Sequence, residues 1–129
     1  MYNEAEIYKT LAKYISIKYP KVIFRFDFAA GLYLSIFQSK LHKQLNPIRG
    51  YPDLFIAHPS KGFNGLFIEI KSDKANPFKK NGELRSNEHL IEQQNVLKRL
   101  NEAGYKAMFG IGTENCFQII DEYLSEKTF

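Results

Sequence analysis

The sequence holds one cysteine, Cys116, so no internal disulfide can form. That fits a reducing, cytoplasmic setting. Cys116 sits among apolar residues and is expected to be buried and inert. The three histidines share no ligand spacing with it, which argues against a structural zinc site. No apolar run is long enough to span a bilayer, and the N-terminus lacks the apolar core of an export signal, so no membrane partner is expected. No glycine-rich loop of the phosphate-cradling type occurs, which excludes nucleotide hydrolysis of that kind. Internal repeats, low-complexity tracts and interdomain linkers are also missing. A chain of 129 residues suffices for one hydrophobic core, so residues 1–129 are expected to form a single domain.

What is present is a mixed α and β pattern with ordinary apolar and charged fractions. The formal net charge is +4, a modest excess. Its distribution says more. Lys71, Lys74, Lys79, Lys80 and Arg85 fall in one stretch, and Lys40, His42, Lys43 and Arg49 in another. Such clusters can neutralise phosphates, although a solvated surface gives the same pattern.

Asn3 is placed to cap a helix from about Glu4 to Lys18, with Ile7, Leu11 and Ile15 at helical spacing. Tyr19-Pro20 ends it. Val22 to Phe26 reads as a strand, and Ala29-Ala30-Gly31 as a break. Leu32 to Leu45 reads as a second helix, with Tyr33, Ile36, Phe37 and Leu41 on one side. Asp53 to Ala57 and Leu66 to Lys71 read as two strands of a hairpin joined through the turn at 58–65. The polar stretch Ser72 to Arg85, interrupted by Pro77 and Gly82, reads as a loop. Ser86 is placed to cap a long helix to about Ala103, with Leu90, Leu97 and Leu100 inward and Gly104 at its end. Lys106 to Ile111 reads as a strand. Thr113 is placed to cap a last helix through Leu124.

The hairpin carries the chemistry. Alternate strand residues share a face, so Glu69 and Lys71 point one way, and Leu66, Ile68 and Ile70 the other. An even pairing register would bring Asp53 onto the face of Glu69; a slip by one residue would send it to the opposite side. Two carboxylates and a lysine on one face suit a hard divalent cation, because magnesium takes oxygen ligands and keeps several waters. Such an ion polarises a phosphodiester and activates water near neutral pH. The assembly is either a metal site or a paired salt bridge, and an exposed Glu-Lys pair on a strand is a common pattern. Three features favour the chemical reading. Pro52 places Asp53 at a strand entry. Ile68 and Ile70 hold Glu69 and Lys71 on an otherwise apolar strand. Gln93 falls on the inward stripe of its helix, where a polar group needs a partner. Most of the 8 tyrosines and 11 phenylalanines occupy apolar positions, so core packing rather than base stacking is expected of them. Tyr51 differs, since it sits beside Asp53 and could line a cleft. His58 reads as a turn residue and His89 as part of a helix's first turn.

The order Gly50-Tyr51-Pro52-Asp53-Leu54, then Phe67-Ile68-Glu69-Ile70-Lys71, then Gln93 with Leu97, Leu100, Gly104 and Tyr105, resembles the VRR-NUC (virus-type replication-repair nuclease) domain of the PD-(D/E)XK nuclease superfamily. The resemblance covers roughly residues 4 to 124. It implies an α/β restriction-endonuclease-like core, a central mixed β-sheet flanked by helices. It implies Asp53, Glu69 and the backbone carbonyl of Ile70 as ligands of Mg2+, with Mn2+ as a substitute. Lys71 would position or activate water, and Gln93 would support the site. The superfamily often adds an acid from the first helix, for which Glu4 is the better candidate and Glu6 the runner-up.

The implied activity is hydrolysis of DNA phosphodiesters by a metal-dependent endonuclease. It would be selective for branched or Holliday-junction-like structures, in replication, repair or recombination, as a standalone phage or bacterial protein and in some relatives as a homodimer. Arg49, Tyr51, Lys74, Lys79, Lys80 and Arg85 are the candidate DNA contacts. Two rivals remain: a non-catalytic DNA-binding module on the same fold, and a restriction-type endonuclease.

Overall fold

The computed structural model describes residues 4–27 and 34–126. The chain runs α1 (Glu4–Lys18), β1 (Phe24–Phe26), α2 (Ile36–Leu45), β2 (Leu54–Ile56), β3 (Leu66–Lys71), α3 (Glu88–Glu102), β4 (Lys106–Ile111) and α4 (Gly112–Leu124). The four strands form one sheet in the order β1-β2-β3-β4. The first two pairings are antiparallel and β3–β4 is parallel, with α3 as the crossover. The sheet is therefore mixed, as the motif order implies. Among the described residues no helix is long and apolar enough to cross a membrane.

Strand alternation decides which helix lies on which face. Leu54, Ile56, Leu66, Ile68 and Ile70 are fully buried against Ile7, Leu11 and Ile15 of α1 and Cys116, Ile120 and Tyr123 of α4. Each such side chain contributes about 1.5–3 kcal/mol by leaving water. On the opposite face Phe67 and Ala107 pack with Leu97 of α3, and Phe55 stacks on Phe67 at 4.3 Å. Tyr14 and Tyr19 both donate to Asp121, at 2.6 and 2.7 Å, which ties α1 to α4. Asn101 bonds both backbone groups of Ala107, its Oδ1 accepting from the amide at 2.9 Å and its Nδ2 donating to the carbonyl at 3.0 Å. It thereby occupies the open edge of β4.

The boundaries of α1, β3 and β4 coincide with those read from sequence. β1 and β2 are shorter than expected, starting at Phe24 and Leu54. The cap of α3 is Asn87, whose side chain accepts from the Leu90 amide at 3.1 Å, and not Ser86. Gly104 ends that helix with φ +96°, as expected. Thr113 does not cap α4, which starts at Gly112; Asn115 instead takes the Ile111 amide at 2.8 Å. The 72–85 stretch carries more order than a loop, with a 3-10 turn at Asp73–Ala75 and a bridge between Phe78 and Leu84. Asn3, the 29–31 break, Leu32 and Tyr33 lie outside the described residues.

α2 departs furthest from expectation. It begins at Ile36, where Ser35 and Gln38 close a reciprocal capping box, and none of its residues is buried. An apolar stripe identifies a helix face but not what covers it.

Candidate active site

The hairpin pairs Leu54 with Ile68, Phe55 with Phe67 and Ile56 with Leu66. Extending that register by one residue sets Asp53 opposite Glu69. This is the even register that puts both acids on one side. β2 starts only at Leu54, so the Ile70 amide has no partner on that strand, and Asp53 Oδ2 accepts from it at 2.8 Å. The amide and carbonyl of an extended residue leave the same strand edge, so the Ile70 carbonyl is directed to the Asp53 side as well.

The Gly50-Tyr51-Pro52 entry fixes where Asp53 sits. Gly50 adopts φ +82°, and a Cβ there would come within 3.0 Å of the Glu92 carbonyl oxygen and the Gln93 amide nitrogen. Glycine thus lets this turn lie directly on the α3 backbone. Pro52 is fully buried behind it. The turn and α3 meet where Gln93 reaches inward.

Glu69 and Gln93 are both buried, and Gln93 Nε2 donates to Glu69 Oε1 at 2.6 Å. Lys71 Nζ stands 4.0 Å from the same oxygen with its side chain nearly enclosed. Glu69 Oε2 is buried with no donor. Its neighbour is the Asp53 carboxylate, also an acceptor, which the Tyr8 hydroxyl and the Ile70 amide already serve. Burial drives the Glu69 carboxyl far above the usual range, and the nearby Asp53 charge adds to it, against a smaller opposing effect of Lys71. Burial also raises Asp53, partly offset by Tyr8 and Ile70. Two ionised carboxylates this close need a shared proton or a cation between them.

These groups open into a cavity of about 660 Å³. Glu4 lines it and is itself raised by burial and by the charge of Asp53. Glu6 is exposed and does not line it. Among the described residues no three His, Cys, Asp or Glu side chains come together so as to hold a metal ion between them. The donor set is two carboxylates and a carbonyl, with Glu4 at the margin. That suits magnesium, which retains waters, better than an ion needing an all-protein shell.

Tyr51 also lines the cavity, its ring edge-on to Phe67 at 5.8 Å. Arg49, Lys74, Lys79, Lys80 and Arg85 lie on the exposed surface and do not line it. Arg49 stands 3.9 Å from Glu92, and Arg85 Nε donates to the Asn76 carbonyl at 3.0 Å. His58 is a turn residue, as read, its carbonyl accepting from the Tyr123 hydroxyl at 2.6 Å. Tyr8 is not among the sequence candidates for the site, and His89 reads from sequence only as a first-turn residue that the mechanism does not need. Tyr8 bonds Asp53, and His89 Nε2 lies 3.2 Å from Gln93 Nε2. The signal for Tyr8 is its position four residues after Glu4, and for His89 its position four before Gln93.

No protein-family model and no curated protein matches the sequence. A solved structure described as "VRR_NUC domain protein" matches over 100% of this chain and 93% of that one, with a TM-score of 0.70 and 22% sequence identity. The chain therefore has the fold of that VRR-NUC domain protein, a mixed sheet with flanking helices.

Proposed function

We propose that the chain is a magnesium-dependent deoxyribonuclease of VRR-NUC type, with its centre at Asp53, Glu69 and Lys71. The observation that carries this reading is the pair of half-buried Asp53 and buried Glu69, in which Glu69 Oε2 has no donor and Lys71 approaches Oε1 at 4.0 Å. Two ionised carboxylates drawn out of water without a full counter-charge are costly, so the pair holds a shared proton when empty and offers a cation a favourable place when ionised.

Asp53, Glu69 and the Ile70 carbonyl would hold Mg2+, with Glu4 as a further oxygen donor and Mn2+ as a substitute. When bound, the ion would polarise a phosphodiester and make water a better nucleophile near neutral pH. Lys71 donates to the attacking water and offsets charge developing on the phosphorane. Gln93 holds the Glu69 carboxylate in one orientation, and Tyr8 does the same for Asp53. The surface cations Arg49, Lys74, Lys79, Lys80 and Arg85 would hold the DNA backbone outside the cleft, with Tyr51 at its mouth. Selectivity for branched DNA, in a phage or bacterial repair or recombination setting and with homodimers as the acting form, belongs to the same proposal.

The test is incubation of the purified protein with linear, nicked, flap and four-way-junction DNA, with magnesium or EDTA. Magnesium-dependent cleavage, strongest on branched substrates, is the expected result. Magnesium-independent binding with no cleavage of any substrate would make the chain a binding module. Cleavage confined to one short base sequence would make it a restriction-type enzyme.

A further inference from the structure

α2 is a well-capped helix with no buried residue, the only such α-helix among the described residues. Its half-buried positions are Ser39 and His42, three apart and so on one side. Phe37, Leu41 and Leu45, spaced by four, make a stripe on another side and are 74%, 41% and 70% exposed. The helix contains no Asp or Glu and carries Lys40, His42 and Lys43. Its C-terminal end does not wander off across the surface. His42, Leu45 and Ile48 line the same cavity as Asp53, Glu69 and Lys71.

An apolar stripe with a basic flank fits three kinds of occupant: a second copy, an anionic membrane, or a nucleic-acid strand. A second copy would present the same acid-free, basic helix and gains nothing from charge. A membrane would have to cover the mouth of the cleft. A nucleic-acid strand satisfies both features, since its phosphates meet the lysines and its bases meet apolar side chains. Base faces are accessible only where the strand is unpaired or has been opened by an inserted side chain.

We propose that α2 is a docking helix for unpaired bases, which stack on Phe37 and Leu41 while Lys40 and Lys43 meet the flanking phosphates. The chain would thus select DNA that is single-stranded or melted beside the scissile phosphate. This rests on the nuclease reading above, but its test does not depend on cleavage.

The test is binding in EDTA, read by fluorescence anisotropy, with a single-stranded oligonucleotide, a blunt duplex, and a duplex with a flap carrying 2-aminopurine. Wild type is compared with the double variants Phe37→Ala/Leu41→Ala and Lys40→Gln/Lys43→Gln. These side chains are exposed, and an unchanged far-UV spectrum and melting temperature will establish that the variants fold. The apolar double variant should bind the single strand and flap about tenfold more weakly, lose the 2-aminopurine response, and bind the blunt duplex as wild type does. The lysine double variant should weaken binding to all three DNAs and flatten the salt dependence. Equal losses of the apolar variant on all DNAs, or no preference of wild type for unpaired DNA, overturn the proposal. So does a wild-type dimer that Phe37→Ala/Leu41→Ala converts to monomer, or binding to phosphatidylserine vesicles in place of DNA. Base-selective binding without magnesium-dependent cleavage upholds this docking role and sinks the catalytic reading instead.

Discussion

Gln93 on α3 and Glu69 on β3 meet through a 2.6 Å hydrogen bond inside the protein. That bond joins the crossover helix to β3, and it leaves Glu69 Oε2 and Gln93 Oε1 as buried acceptors without a donor. A side chain that orients a metal-binding carboxylate from outside is typically worth 10- to 100-fold in metal affinity. Gln93→Leu should therefore weaken magnesium binding by about that factor, measured by calorimetry on folded protein. Unchanged affinity would remove Gln93 from the site.

The raised carboxyls make stability depend on pH. Glu69, Asp53 and Glu4 hold their protons more tightly folded than unfolded. Their contribution is complete below the ordinary carboxylate range and is lost as pH rises through the raised one. The metal-free protein should thus melt at progressively lower temperature as pH climbs above about 4–5. Magnesium should reduce that slope, and Glu69→Gln should reduce it without magnesium. A metal-free melting temperature that rises with pH, insensitive to Glu69→Gln, would contradict the buried pair.

Gly50 positions Asp53 through backbone shape alone. Alanine there would cost about 1–2 kcal/mol for the left-handed conformation, before any contact with the α3 backbone. Gly50→Ala should lower stability by at least that amount and reduce cleavage more than Gly82→Ala. Gly82 has φ +88°, and a Cβ there would meet nothing within 4 Å, so it isolates the conformational cost. Chemical denaturation and initial rates on the two variants separate strain from displacement of the Asp53 turn. Equal effects on rate would deny Gly50 its positioning role.

Asn101→Ala should leave both backbone groups of Ala107 unmet at the sheet edge. A loss of about 1–3 kcal/mol in urea denaturation is expected, with greater aggregation on standing. Cleavage by the protein that remains folded should be unchanged, because Asn101 does not line the cavity.

Much of the fold and site was legible because the signals were local. The alternation of Leu66, Ile68 and Ile70 with Phe67, Glu69 and Lys71 set both the strand and its two faces. The inward position of Gln93 announced a buried partner, which is Glu69. The register that joins Asp53 to Glu69 was conditional in the sequence, since a turn of that length permits more than one pairing. Tyr8 was hidden because it stands among the apolar positions of α1, where an aromatic reads as core. α2 misled for the opposite reason, since Phe37 and Leu41 have helical spacing yet nothing in the described chain buries them. The basic residues of 74–85 were visible as charge, but charge did not show that they lie outside the cleft.

The most direct measurement is the single-turnover cleavage rate of wild type and Lys71→Ala on one branched DNA, each with magnesium and with EDTA. Wild type with magnesium should cleave, EDTA should abolish cleavage, and Lys71→Ala should be slower by about a hundredfold or more while still binding DNA. Cleavage that survives both EDTA and Lys71→Ala would show that the Asp53–Glu69–Lys71 face is not where the chemistry occurs.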